Sequence, residues 1–97
     1  MEYWIALTEG AKKDIAYFQA REQRIIVAGI IAHLKADAEV RTRKKKPLRP
    51  NPIAPWELRV DRYRVFYSIE PESTVKIVAV GHKEHNDLFV RGRKIQL

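Results

Sequence analysis

WELRVDRYRVFYSI, residues 56–69, is the stretch that decides the fold. Apolar and polar residues alternate on both sides of Asp61 and Arg62, the pattern of two antiparallel strands joined by a tight turn. The spacing predicts strands over residues 56–60 and 63–69, with Val60 opposite Tyr63, Arg59 opposite Arg64 and Leu58 opposite Val65. Since successive side chains point to opposite faces, Trp56, Leu58, Val60, Tyr63, Val65 and Tyr67 share a face suited to a core. The other face carries Glu57, Arg59, Arg64, Phe66 and Ser68. Two arginines directly opposite one another repel, so such a pair is kept where an acid or an anion lies between them. Glu57, a diagonal neighbour, could be that acid; a bound phosphate could be that anion.

Downstream, Glu70–Ser73 reads as a four-residue loop with Pro71 at a turn position, leading into a strand over residues 75–80. That loop length sets Ile69 opposite Thr74 and Arg64 beside Ala79. Ala79, Gly81 and Lys83 then continue the arginine face, whose small residues leave room above the sheet while Lys83 stands at its rim. Three cations around an open floor suit the charge that develops on a phosphoryl transition state. Upstream, residues 3–7 (YWIAL) suit a first strand. Thr8 is placed to cap a helix running to about Gln19, with Glu9 in its first turn and Ala11, Ile15 and Phe18 at helical spacing. A second helix is predicted over residues 21–37, its stripe made by Ile26, Ile30, Ile31 and Leu34 and widened by Val27 and Ala28. Gly29 in that helix points to a close approach, expected to be to the first helix. Trp4, Trp56 and Tyr67 are expected in the core.

Residues 40–55 hold four prolines and no period, and read as a loop crossing from helices to sheet. Within it RTRKKKPLR, residues 41–49, gathers six basic side chains: Arg41, Arg43, Lys44, Lys45, Lys46 and Arg49. Such a run is either a solvated loop or a contact to nucleic-acid backbone, adding affinity and salt sensitivity rather than sequence choice. Phe66, on the arginine face, is the aromatic placed for base stacking. The last residues, 86–97, contain LFV and KIQL around Arg91 and Gly92, a further short hairpin.

With 97 residues the chain makes one domain, residues 1–97, of α+β class: two N-terminal helices on an antiparallel sheet, order β-α-α-β-β-β. About four strands are expected. No cysteine is present, which excludes disulfides and thiolate metal sites. His82, His85 and Asp87 argue weakly for a metal, because H-x-x-H spacing occurs often by chance, and His33 lies on a distant helix, so no metal or cofactor is expected. The longest apolar run, residues 25–32, is far below the ~20 residues that span a bilayer, and no signal peptide is visible. A cytoplasmic protein without membrane contact follows. The net charge of +7 makes nucleic acid the first candidate partner and an acidic protein the second.

The helical hairpin, the basic proline-containing loop, L-R-V-x-x-Y-R-V-F-Y at residues 58–67 and V-G-H-K at residues 80–83 together resemble the RelE/ParE superfamily of bacterial toxins, over nearly the whole chain. The resemblance implies a toxin held inactive by an acidic antitoxin. RelE-like members cut mRNA in the ribosomal A site without a metal; ParE-like members poison DNA gyrase. Carried over, Arg64 becomes the scissile-phosphate contact, Lys83 the basic residue after V-G, and Arg59 a basic position on the preceding strand. Where RelE-like nucleases carry a tyrosine or histidine for proton transfer, this chain reads Leu88 and Phe89. The remaining groups for general acid–base work near Lys83 are His82, His85 and Glu84, with His85 the first choice. The implied activity is a ribosome-associated endoribonuclease, with a gyrase-directed or purely binding protein as the alternative.

Overall fold

A computed structural model describes residues 2–97 of the chain. Its elements are β1 (Trp4–Leu7), α1 (Glu9–Ala16), α2 (Ala20–Leu34), β2 (Lys45–Pro47), β3 (Trp56–Val60), β4 (Tyr63–Glu70), β5 (Thr74–Glu84), β6 (Asp87–Val90) and β7 (Arg93–Ile95). The strands form one sheet in the order β2-β3-β4-β5-β6-β7, antiparallel throughout, with β1 added parallel to β5. Two helices on a largely antiparallel sheet agree with the expected architecture, but the sheet has seven strands rather than about four. The additional strands are three or four residues long and lie at the margins. Lys-Lys-Pro in the basic loop has no alternation to betray it as β2. The expected C-terminal hairpin is present as β6 and β7, turning at Arg91 and Gly92, both with positive φ.

The hairpin of β3 and β4 has the register its alternation dictates, including Arg59 opposite Arg64, with Asp61 at φ 53° in the turn. Leu58, Val65 and Tyr67 on its helix side are fully buried. The pairing of β4 with β5 departs from expectation. Residues 71–73 make a three-residue connection, so Ile69 pairs with Val75 and not Thr74. That alone would turn every later side chain to the wrong face. A bulge between Phe66 and Tyr67 leaves Val78 as an extra residue on β5, and this second one-residue shift restores the face. Arg64 therefore lies beside Gly81, two residues beyond the expected Ala79.

The bulge is held by a helix. Thr8 caps α1 by accepting the Ala11 amide (3.0 Å) and donates its own hydroxyl to the Val78 carbonyl (3.1 Å). Beyond it, Asp14 accepts the Val80 amide (2.9 Å) in the gap between β1 and β6 along one edge of β5. Helix α1 stops at Ala16, short of Gln19. Helix α2 starts at Ala20, where the Gln19 amide donates to Glu22 (3.1 Å), and ends at Leu34.

Ile26, Ile30 and Leu34 enter the core, whereas Val27 and Ile31, expected on the same stripe, are 41% and 53% exposed. The close approach at Gly29 is to β3 and not to α1: a Cβ there would lie 2.6 Å from a Val60 methyl. Trp56 stacks on Tyr67 (5.8 Å, 22°) against the main core, but Trp4 is 77% exposed, because it sits on the face of β1 that no helix covers. A second, smaller core of Ala54, Phe66 and Leu88, flanked by Leu48, Ile53, Ala79 and Ile95, occupies part of the opposite face of the sheet.

Candidate functional site

Arg59 and Arg64 face each other across β3 and β4 on the side away from the helices. Their environments differ. Arg64 is largely covered, its side chain 12% exposed, and its guanidinium donates to the carbonyls of Asp61 (2.8 Å) and Tyr63 (3.0 Å). Glu57, with a side chain only 9% exposed, lies 3.9 Å from Arg64 Nε through one oxygen and 3.7 Å from Lys46 Nζ through the other. Burial pulls the Arg64 pKa below the usual guanidinium range, Glu57 opposes that shift and Arg59 adds to it. It stays charged, since an arginine does not deprotonate in a protein. Arg59 is exposed and ion-pairs with no acid among the described residues; its amide donates to the Lys44 carbonyl (2.7 Å), which ties β3 to the basic loop. The acid that the sequence leaves open as a neutraliser is thus in place for Arg64, while Arg59 remains available to an external anion.

Lys83 falls on the same face, two residues after Gly81, and its amide donates to the Arg62 carbonyl (2.8 Å). The floor between these cations is not the open space expected. A Cβ on Gly81 would lie 2.4 Å from the Phe89 carbonyl, so glycine is required there by the close passage of β6. Ala79 packs against the second core. Phe66, the aromatic expected to stack on a base, is fully buried in that core beside Ala54 and Leu88 and presents no ring to solvent.

The two histidines are separated from the arginines and from each other. His82 pairs with Tyr63 and so points to the helix side. There it stacks on Phe89 (5.5 Å, 21°), meets Phe18 edge-on (5.9 Å) and approaches Glu84 through Nε2 (2.8 Å). Its expected place in the cationic cluster is ruled out by strand alternation. His85 is exposed at φ 51° in the two-residue turn between Glu84 and Asp87, just beyond Lys83. Among the described residues no group of three His, Cys, Asp or Glu side chains could hold a metal ion.

The basic run also divides. Lys45 is buried, its ammonium donating to the carbonyls of His33 (3.2 Å), in the last turn of α2, and Asp37 (2.8 Å), just beyond it, so the cation caps the end of the helix. It is a structural group and not a nucleic-acid contact. Lys46 is partly engaged by Glu57. Arg41, Arg43, Lys44 and Arg49 are exposed. Sequence reasoning missed the ties that fix the rim. Glu22 accepts from Arg62 (3.0 Å) and Tyr63 (2.8 Å), which holds its carboxyl below the ordinary range, the Tyr63 hydroxyl being the largest cause. Arg91 Nε stands 2.8 Å from the buried Asp14 carboxylate and so anchors the turn of β6 and β7 to α1. A turn arginine and a helix aspartate 77 positions apart carry no shared local signal.

The model of a family described as the ParE toxin of type II toxin–antitoxin systems matches residues 5–87. Among solved structures, the toxin–antitoxin complex RelBE2 from Mycobacterium tuberculosis contains a chain similar to this one. It is 27% identical, covers 86% of this chain and 100% of that one, and superposes with a TM-score of 0.72. No curated protein sequence matches.

Proposed function

Because the chain belongs to the ParE family of toxins of type II toxin–antitoxin systems, we propose that it poisons its target by binding and not by cutting RNA, in the manner of the gyrase-directed toxins. The observation that carries this reading is the placement of His82 on the face of the sheet opposite the cations. Arg59, Arg64 and Lys83 share one face, while His82 lies on the other, stacked on a phenylalanine that can neither give nor take a proton. Metal-independent RNA cleavage needs a base for the 2′-hydroxyl and an acid for the leaving oxygen, both within reach of the phosphate. A cationic face can grip a carboxylate or phosphate without using either group. Arg59 and Lys83 are the principal contacts in this reading, and Arg64, paired with Glu57 at 3.9 Å, holds the hairpin that presents them. Arg41, Arg43, Lys44 and Arg49 add salt-sensitive attraction to polyanions. The partner that restrains the toxin is an acidic antitoxin, and the site of action is the cytoplasm.

Ribosome-dependent mRNA cleavage is a second reading, supported by His85, which stands exposed next to Lys83 at the tip of the turn. Two assays on the same preparation separate them. Primer extension on a defined mRNA in a reconstituted translation system is expected to show no new 5′ ends, and a gyrase supercoiling assay is expected to show inhibition that Arg59→Ala weakens. Ribosome-dependent cuts abolished by His85→Ala would overturn the binding reading in favour of the nuclease.

A further inference from the structure

The sheet has three outer strands, and they are finished differently. β2 is Lys-Lys-Pro and β7 carries Arg93 and Lys94, so charge and proline at the first and charge at the second discourage pairing with another chain. β1 is Trp-Ile-Ala-Leu, with neither charge nor proline. In its parallel ladder with β5, the Trp4 amide donates to Ser73 (2.8 Å) and the Thr8 amide to Ile77 (3.1 Å). Trp4, Ala6 and Thr8 therefore turn their polar backbone groups toward β5, and Ile5 and Leu7 turn theirs outward. At the start of the strand this outer side is closed, since the Tyr3 amide donates to Lys35 (2.7 Å) and Glu2 bridges Ala36. Along Ile5 and Leu7 it faces no other strand among the described residues, and it is flanked by Trp4, 77% exposed, and Leu7, 38% exposed.

We propose that this edge is taken by a second copy of the same chain, paired antiparallel about a two-fold axis through Ala6. In that register Ile5 lies opposite Leu7 of the second copy and Leu7 opposite its Ile5, so the outward amides and carbonyls of both strands satisfy one another. Ala6 meets Ala6 at the axis in a non-hydrogen-bonded pair with Cα atoms ~4.5 Å apart, a spacing that favours a small side chain. Trp4 shares the face of Ala6 and is diagonal to the second copy's Ala6, which leaves room for the indole to fold across the axis. The charges agree as well. The strand itself is neutral in a chain of net charge +7, so like charges do not meet as they would at β2 or β7. The contact is confined to one short strand of each copy, so the dimer is weak. The cationic face of β3 and β4 is left uncovered by it.

Sedimentation velocity of the full chain from micromolar to millimolar concentration tests the pairing. The expected result is a mass rising from 11.4 kDa toward twice that value, accompanied by a blue shift of tryptophan emission that Trp4→Phe removes. Ala6→Lys, at an exposed position, is expected to leave the far-ultraviolet circular dichroism unchanged and to weaken association ~10-fold or more by placing two ammonium groups on the axis. A folded protein that stays monomeric at the highest concentration overturns the proposal, as does a dimer that Ala6→Lys does not weaken.

Discussion

The two faces of the hairpin of β3 and β4 come from the same alternating sequence and are completed by different means. On the helix side, Leu58, Val65 and Tyr67 are buried beneath α1 and α2, where apolar matching is joined by one polar tie, the Tyr67 hydroxyl donating to the Ala38 carbonyl (2.9 Å). On the other side, Glu57 is buried among cations, Arg59 is exposed, and a small core of Ala54, Phe66 and Leu88 is built from a loop and the C-terminal hairpin. The first face is made by the elements that dominate the fold. The second is assembled from margins, and the candidate site lies where that assembly is incomplete.

The sharpest contrast should come from truncating the helix-side core. Leu58→Ala is expected to destabilise by about 2–5 kcal/mol, the range for a fully buried leucine, as read from urea denaturation midpoints. Its counterpart on the cation face is Gly81→Ala, whose new methyl meets the Phe89 carbonyl and must displace β6. A loss of ~1–3 kcal/mol is expected, with the chemical shifts of β6 and β7 moving more than those of the helices. If Gly81→Ala proves neutral, β6 is held less closely than the geometry indicates.

Glu57→Gln sharpens the comparison from the charge side. It leaves Arg64 covered with its nearest acid gone, at a cost of ~1–3 kcal/mol, and should strengthen anion binding at Arg59 and Arg64. Added phosphate should then protect the Glu57→Gln variant against thermal unfolding more than it protects the parent. A smaller effect is tied to pH. The Glu22 carboxyl is held low in the folded state, so its contribution is complete above the ordinary glutamate pKa and is lost as pH falls through the lowered folded value. Glu22→Gln should remove that part of the acid sensitivity, which parallel urea titrations at neutral and acidic pH would measure. Least of all, Arg59→Ala should change stability by no more than ~0.5 kcal/mol, because its exposed side chain has no acid partner among the described residues to lose, while flattening the salt dependence of polyanion binding.

Much of the first face was legible in the chain. Trp56, Leu58, Val65 and Tyr67 announce themselves by a period of two, and Thr8 announces a helix cap through local chemistry. The opposition of Arg59 and Arg64 followed from the same period and a two-residue turn. Trp4 misled because an aromatic in a strand reads as core, and only the absence of a helix over that side of β1 leaves it exposed. His82 misled because its closeness in sequence to Lys83 conceals that neighbours in a strand point opposite ways. Lys45 looked like one cation among six until its ammonium found the carbonyls at the end of α2.

By itself the sequence determined the class of fold, the hairpin register and the identity of the cations, because each of these depends on residues close together in the chain. The tertiary structure alone decided which cations are free, where the bulge at Val78 resets the face of β5, and that Phe66 is sealed by Ala54 and Leu88. Those outcomes depend on which segments become neighbours in the sheet, and a short edge strand or a single extra residue in a ladder leaves almost no local pattern from which that neighbourhood could be foreseen.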